Sequence, residues 1–336
     1  MEKLIMPKDY KGSLSLRETE LAIKKTKDFF QKELSKTLNL TRVSAPLFVR
    51  PETGLNDNLN GTESAVSFNV KDADSCHAEI VHSLAKWKRM ALHRYDFGLY
   101  EGLYTDMNAI RCEEDLDNIH SIYVDQWDWE KIIPMVDRTE EKLKETVRKI
   151  YSVFKRTELY LSLEYSTLHP ILPEDISFVT TYELESRFPD LTPKEREYEI
   201  AKEKGAVFIM KIGGKLASGE KHDGRSPDYD DWTLNGDIIF YYPVLDIALE
   251  LSSMGIRVDA EALTKQLEIE GCSERASLPF HSKLLAGQLP QTMGGGIGQS
   301  RICMFFLRKA HIGEVQASIW PEDMQSICKE KGIRLL

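Results

Sequence analysis

The run GGGIGQSRICMFFL at residues 294–307 joins a glycine-rich stretch to an apolar pattern with helical spacing. Glycines let a backbone approach a nucleotide closely, a helix N-terminus offers partial positive charge, and Arg301 in the first turn adds a planar fork for phosphate oxygens. The same residues also suit a tight helix–helix contact that needs small side chains. No G-K-[ST] follows, against a Walker loop, and no βαβ context precedes, against a dinucleotide-binding fingerprint. Alone, the run leaves phosphate site and packing contact both open.

Working outward, Ser15-Leu16-Arg17-Glu18 has the pattern of a capping box. Ile23, Phe30, Leu34 and Leu38 then recur at helical spacing and predict a long amphipathic helix. After Asn39, alternation through Val43, Ala45, Leu47 and Val49 predicts a strand that Pro46 confines to an edge or a bulge. The turn formers PETGLNDNLNG at 51–61 put Asp57 on a loop, and residues 64–70 return to a strand-like composition. A strand end and then a helix are expected over 80–99, followed by a long hairpin from 103–111 and 121–129. Helices are expected over 140–163, packed by Leu143, Val147, Ile150 and Phe154, and over 193–204. Residues 206–212 read as a buried strand and 221–232 as a polar loop that is either an active-site lid or plain surface, with 232–235 continuing as loop. Strands follow at 237–242 and 245–253. This order implies an α+β fold, a mainly antiparallel sheet with helices packed on it, with no internal repeat.

A chain of 336 residues with 42% hydrophobic content can bury a substantial core within one large domain, so a single unit over 1–336 is expected. Acidic residues outnumber basic ones 54 to 44, a net charge of -10 that disfavours a long phosphate backbone as ligand but leaves small anions open. Cys76, Cys112, Cys272, Cys303 and Cys328 lack zinc-site spacing and read as reduced thiols. The first residues show no secretory pattern, and no apolar run reaches the roughly 18 residues needed to cross a bilayer. No nucleic acid, no membrane and a cytoplasmic location are the expectations.

Several polar groups stand out. Arg111 precedes Cys112-Glu113-Glu114-Asp115, either a functional cation beside carboxylates or an ion pair in a turn. In the partner strand, alternation puts Gln126 and Asp128 on one face and Asp125, Trp127 and Trp129 on the other. Polar groups on a covered face need partners, which a bound amino acid would supply. Asp237, starting one strand, and Glu250, within the next, suit magnesium if the strands are neighbours, because that ion commonly takes one or two carboxylates plus phosphate oxygens. A Glu250–Arg257 salt bridge is the plainer alternative. Lys86, Lys88 and Arg89 read on composition as a solvated helix face, and His82 and His222 as histidines that pack or cap as readily as they catalyse.

The helix with its proline-bearing strand, the hairpin around Arg111-Cys112-Glu113 and the run Gly296–Arg301 resemble the three motifs of class II aminoacyl-tRNA synthetases, at about 15–50, 103–130 and 294–308. The longer strings VHSLAKWKR, YEGLYTDMNAI, SIYVDQWDWE, PDYDDW, LNGDI, LSSMGIRVD and PQTMGGGIGQSR resemble the ammonia-dependent asparagine synthetases, or aspartate–ammonia ligases, from about Ser15 to Trp320.

That resemblance implies a class II synthetase-like catalytic fold of about eight mainly antiparallel strands, and a homodimer through the first motif. It implies ATP-dependent amidation of L-aspartate by free ammonia to L-asparagine, with ATP as co-substrate, Mg2+, a β-aspartyl-adenylate, and release of AMP and pyrophosphate. Carried over by position, Asp57, Ser83, Lys88, Gln126, Asp128, Asp230, Ser253 and Arg257 surround aspartate. His82, Arg111, Glu113, Asp237, Glu250, Gly298 and Arg301 face the nucleotide, with Asp237 and Glu250 at the metal. Catalysis falls to Asp57, Lys88, Arg111, Asp230 and Arg301, Asp57 being the first choice of base and Asp230 the second.

The same residues bear on three rivals. A glutamine-hydrolysing synthetase would need a nucleophilic cysteine after Met1, where Glu2 stands. An aspartyl- or asparaginyl-tRNA synthetase would need an anticodon-binding barrel ahead of the helix that begins near Ser15. A regulatory paralogue would be favoured by loss of Arg111 or Arg301, and both are present.

Overall fold

The capping box forms as the sequence predicts: the Glu18 N–H donates to Ser15 Oγ at 3.3 Å and the Ser15 N–H to Glu18 Oε2 at 2.8 Å, opening helix α1 (Leu16–Leu38). In this computed structural model, which describes residues 4–57 and 63–336, the end of the turn-rich run at 58–61 lies outside the described residues. The single strand expected over 43–49 is not there. The chain instead makes β1 (Leu40–Arg42), passes irregularly through Pro46, and makes β2 (Phe48–Val49) in a different sheet. Proline brings no N–H to a ladder, so the alternation of Val43, Ala45 and Leu47 is spent on a crossing between sheets.

The next elements are β3 (Ser67–Val70), β4 (Cys76–Ile80), α2 (Ala85–Arg94), β5 (Gly102–Ile110), β6 (Tyr123–Ile132), α3 (Glu140–Glu164), β7 (Ser177–Thr180), α4 (Thr181–Arg187) and α5 (Pro193–Lys204). After them come β8 (Ala206–Met210), β9 (Asp230–Tyr242), β10 (Ile247–Arg257), α6 (Ala260–Ile269), α7 (Pro279–Leu285), β11 (Thr292–Gly298), α8 (Gln299–Phe306) and α9 (Glu322–Glu330). Eight strands form one sheet in the order β1-β5-β6-β11-β10-β9-β8-β7, antiparallel except for the β1–β5 and β7–β8 pairs at its edges. A small second sheet, β2-β4-β3, stands beside it.

Two sequence readings change here. Strand β9 starts at Asp230, so Asp237 lies inside a strand and residues 232–235 are paired backbone, not a loop. The glycine run is neither a loop nor a helix–helix contact but the central strand β11, between β6 and β10.

Apolar side chains cover one face of this sheet. Phe30 of α1 stacks on Trp127 at 4.9 Å between centroids, Phe154 of α3 meets Phe30 and Phe240 edge-on, and α8 adds Phe305 and Phe306. Strand β8 is buried at every position, with α4 and α5 packed beside it, so its run of apolar residues reads continuously rather than alternating. With the helices α1, α3 and α8 on one face, the polar alternation of β6 falls on the other.

Candidate active site

Alternation along β6 sends Trp127 and Trp129 into the helix-covered core and Gln126, Asp128 and Glu130 to the opposite face. Room for those side chains comes from the glycines of β11. A Cβ on Gly296 would strike Gln126 Oε1 and lie 2.9 Å from Asp128 Oδ1. On Gly294 it would strike Glu130 Oε2 and lie 2.7 Å from Arg257 Nη2. The glycines serve side chains reaching across the sheet, which is why a strand can look like a loop in sequence.

Over this floor lies a cavity of about 460 Å³, a size typical of small-molecule sites. Of the residues expected there, Asp57, His82, Ser83, Lys88, Arg111, Gln126, Asp128, Asp230, Glu250, Ser253, Arg257, Gly298 and Arg301 line it. Glu113 does not: its carboxylate turns outward to accept the Ser64 N–H at 3.2 Å, and Glu114 takes its place in the wall, 3.6 Å from Arg111. Asp237 lies beneath Arg225, which lines the cavity and donates to Asp237 Oδ1 at 2.7 Å and to Ser253 Oγ at 2.5 Å.

At its deep end the cavity is built from buried charge. Lys88, 1% exposed, reaches across from α2 to pair with Asp128 at 3.1 Å and to donate to the Gly295 carbonyl at 3.2 Å. Burial pushes its ammonium down from the usual lysine range, against the pull of Asp128 and Glu130. Arg257 gives Nε (3.0 Å) and Nη2 (2.8 Å) to Glu130 and Nη1 to Asp230, not to Glu250 as the plainer sequence reading had it. Burial acts against the Arg257 charge, and Glu130 and Asp230 outweigh it, holding the guanidinium protonated. Of the five N–H groups of an arginine, two remain for a ligand, a geometry suited to a carboxylate.

The basic face expected on α2 is not solvated. Lys86 pairs with the fully buried Asp228 at 3.0 Å, and Arg89 donates to the carbonyls of Pro290 at 2.8 Å and Val258 at 2.7 Å. Burial raises the Asp228 carboxyl, and Lys86 with His281 more than reverse it, holding Asp228 well below the usual carboxylate range. These contacts tie the segment before β9, with Arg225 and Tyr229 in the cavity wall, to α2 and α7. His222 lies outside the cavity wall, 3.1 Å from Glu197.

The other end carries Arg111, at the close of β5, and Arg301, in the first turn of α8, which donates to the Glu250 carbonyl at 3.0 Å. Asp237 and Glu250 lie on adjacent strands, with a bulge between Glu250 and Ser252 setting their offset. Burial, opposed by Arg225 and reinforced by Glu250, pushes the Asp237 carboxyl up to about 7. Two carboxyl groups on adjacent strands have the chemistry of a divalent-cation site, Glu250 in the wall and Asp237 behind the guanidinium. Among the described residues no group of three or more His, Cys, Asp or Glu converges to cage an ion, so bound phosphate would have to share in holding one.

Arg225 and Glu130 had no place among the expected site residues. Glu130 continues the 126, 128, 130 alternation and was within reach of period-two reasoning; nothing in the polar loop distinguished Arg225 from its charged neighbours.

A family model described as aspartate-ammonia ligase matches residues 17–332. Proteins called aspartate–ammonia ligase from Clostridium perfringens and Ruminiclostridium cellulolyticum are 70% and 68% identical over 336 residues; the first match covers 100% of both chains. Among solved structures, asparaginyl-tRNA synthetase from Entamoeba histolytica in complex with asparaginyl-adenylate matches with a TM-score of 0.65 at 12% identity, over 90% of this chain and 66% of that one. Asparaginyl-tRNA synthetase from Pyrococcus horikoshii complexed with asparaginyl-adenylate gives 0.64 at 16% identity, over 90% and 70%. At such identities the likeness establishes the class II synthetase fold alone.

Proposed function

The chain belongs to the aspartate–ammonia ligase family, and from that membership we propose a residue-level account of how its cavity joins ammonia to aspartate. The reaction is ammonia-dependent synthesis of L-asparagine at the expense of ATP. A carboxylate resists amine attack because it is anionic and its leaving group is poor. Activation of the β-carboxylate as an adenylate removes both obstacles and releases pyrophosphate. The observation that carries this reading is the meeting, in one cavity, of a buried cationic end (Lys88, Arg257) and a second cationic end (Arg111, Arg301).

In this proposal Lys88 and Arg257 hold aspartate by its carboxylates, and Lys88 steers the β-carboxylate as a point charge. Asp128, Gln126 and Ser253 offer acceptors for the ammonium group. Arg111 and Arg301 hold the phosphates so that the β-carboxylate and the α-phosphorus meet in line, which converts an encounter into a positioned reaction. Magnesium held by Glu250 and Asp237 would offset the charge that builds on the phosphate oxygens. Ammonia then attacks the acyl carbon and a carboxylate takes the proton that the nitrogen sheds. Asp57 is the first choice for that proton and Asp230, which pairs with Arg257, the second. A homodimer through the first motif belongs to the same proposal; Leu16 and Leu21 of α1 are exposed on this chain at 44% and 52%.

The test is an incubation with aspartate, ATP, magnesium and ammonium chloride, with glutamine or tRNA replacing ammonium in parallel. Asparagine formed only with ammonium and matched by AMP is the expected result; AMP released only with tRNA would overturn it.

A further inference from the structure

His82 was expected on the nucleotide side, but its contacts tie it to the Asp57 loop. The carbonyl oxygen of Asp57 lies 3.2 Å from His82 Nδ1, and Asn56 Oδ1 accepts both the His82 N–H at 2.9 Å and the Asp57 N–H at 3.0 Å. A carbonyl can only accept, so Nδ1 carries the hydrogen, and in the neutral ring Nε2 is then a lone pair. The side chain is 2% exposed, lines the cavity, and its Nε2 is buried without a protein partner among the described residues. Asp57, also 2% exposed, lines the same cavity.

A buried acceptor with no donor is destabilising, so a donor-rich ligand is the natural complement. A phosphate oxygen is the wrong one, since it too only accepts. Ammonia has three N–H donors and one lone pair. We propose that His82 Nε2 and the Asp57 carboxylate together form the ammonia subsite, each accepting one N–H and leaving the nitrogen lone pair directed at the activated carbonyl.

This inference rests on the adenylate reading above. In the step it serves, the nitrogen lone pair forms the C–N bond and the acyl C–O bond to phosphate breaks. Its electron pair leaves with AMP, and the proton lost from nitrogen goes to Asp57. His82 binds and orients; it gains no proton in the balance.

Adenylate formation needs no ammonia, so the two half-reactions separate the roles. In His82→Ala, aspartate-dependent exchange of pyrophosphate into ATP should stay within about twofold of the parent, which also reports that the fold is intact. The KM for ammonium in asparagine synthesis should rise about tenfold, the equivalent of one lost hydrogen bond, with the KM values for ATP and aspartate little changed. His82→Gln, which restores an acceptor oxygen on a side chain of similar reach, should recover part of that loss. A rise in the KM for ATP instead would mean that Nε2 meets a nucleotide donor such as the adenine amino group, and would overturn the subsite. An unchanged ammonium KM, or a loss of exchange in step with turnover, would do the same. Parent protein without aspartate-dependent exchange would overturn the adenylate reading itself and the subsite with it.

Discussion

Lys88 illustrates how one side chain can be both scaffold and instrument. Its ammonium is enclosed, paired with Asp128 at 3.1 Å and 4.0 Å from Glu130, so the protein bears the desolvation before any substrate arrives. Such a group is preorganised: it need not shed water when a carboxylate docks. Lys88→Ala should lower aspartate-dependent pyrophosphate exchange by about 100-fold or more, because the β-carboxylate loses its preorganised point charge, and should also cost ~3–5 kcal/mol of stability by leaving Asp128 buried without its cation. Exchange kinetics on protein shown to be folded by circular dichroism would check this, and near-normal exchange would remove Lys88 from the mechanism. Arg257 differs in being shared. Its side toward Glu130 fixes the plane of the guanidinium, and only the remaining edge is available to a ligand.

Among the elements, β11 matters most to the site although it supplies few side chains. Its glycines let residues of β6 and β10 meet above it, so backbone shape is translated into the placement of Glu130, Arg257, Gln126 and Asp128. Gly294→Ala adds one methyl group and removes no functional atom. That methyl would nevertheless lie 2.6 Å from the Trp129 carbonyl and 2.7 Å from Arg257 Nη2. The expected outcome is a stability loss of about 1–3 kcal/mol and a KM for aspartate raised about tenfold, with the KM for ATP unchanged; thermal melts and initial rates would show both. Helix α2 conceals its burial for a related reason. Lys86, Lys88 and Arg89 look like a solvated stripe because composition cannot show that Asp228, Asp128 and two backbone carbonyls lie opposite them.

Across the whole molecule, acid sensitivity can be traced to a buried group outside the cavity wall. His311 is fully buried against Trp320, its Nδ1 accepts the Gly313 N–H at 3.0 Å, and burial pushes it down from 6.5 to about 4. The unfolded chain therefore binds a proton that the folded chain refuses between those values, so stability falls as pH drops from 6.5 towards 4. The loss should approach about 3 kcal/mol. His311→Asn, whose Oδ1 can still accept the Gly313 N–H, should flatten that slope in denaturant melts taken at several pH values. An unchanged slope would mean that other groups carry the acid limb.

Sequence by itself determined the long capped helix, the 103–129 hairpin with its tryptophans on one face and Gln126 and Asp128 on the other, the family, and the charged part of the cavity wall that carries Lys88, Arg111, Arg257 and Arg301. These rest on local periodicity, capping chemistry and extended strings of residues, all of which are written along the chain. Tertiary structure alone decided that the glycine run is a central strand, that Pro46 divides one apparent strand between two sheets, and that Glu114 rather than Glu113 faces the cavity. It alone paired Arg257 with Glu130 and Asp230 rather than Glu250, and laid Arg225 over Asp237. The physical reason is common to these cases: a charge or a glycine takes its meaning from what stands across from it, and the partners here are brought together by strand register and by helices meeting from opposite ends of the chain.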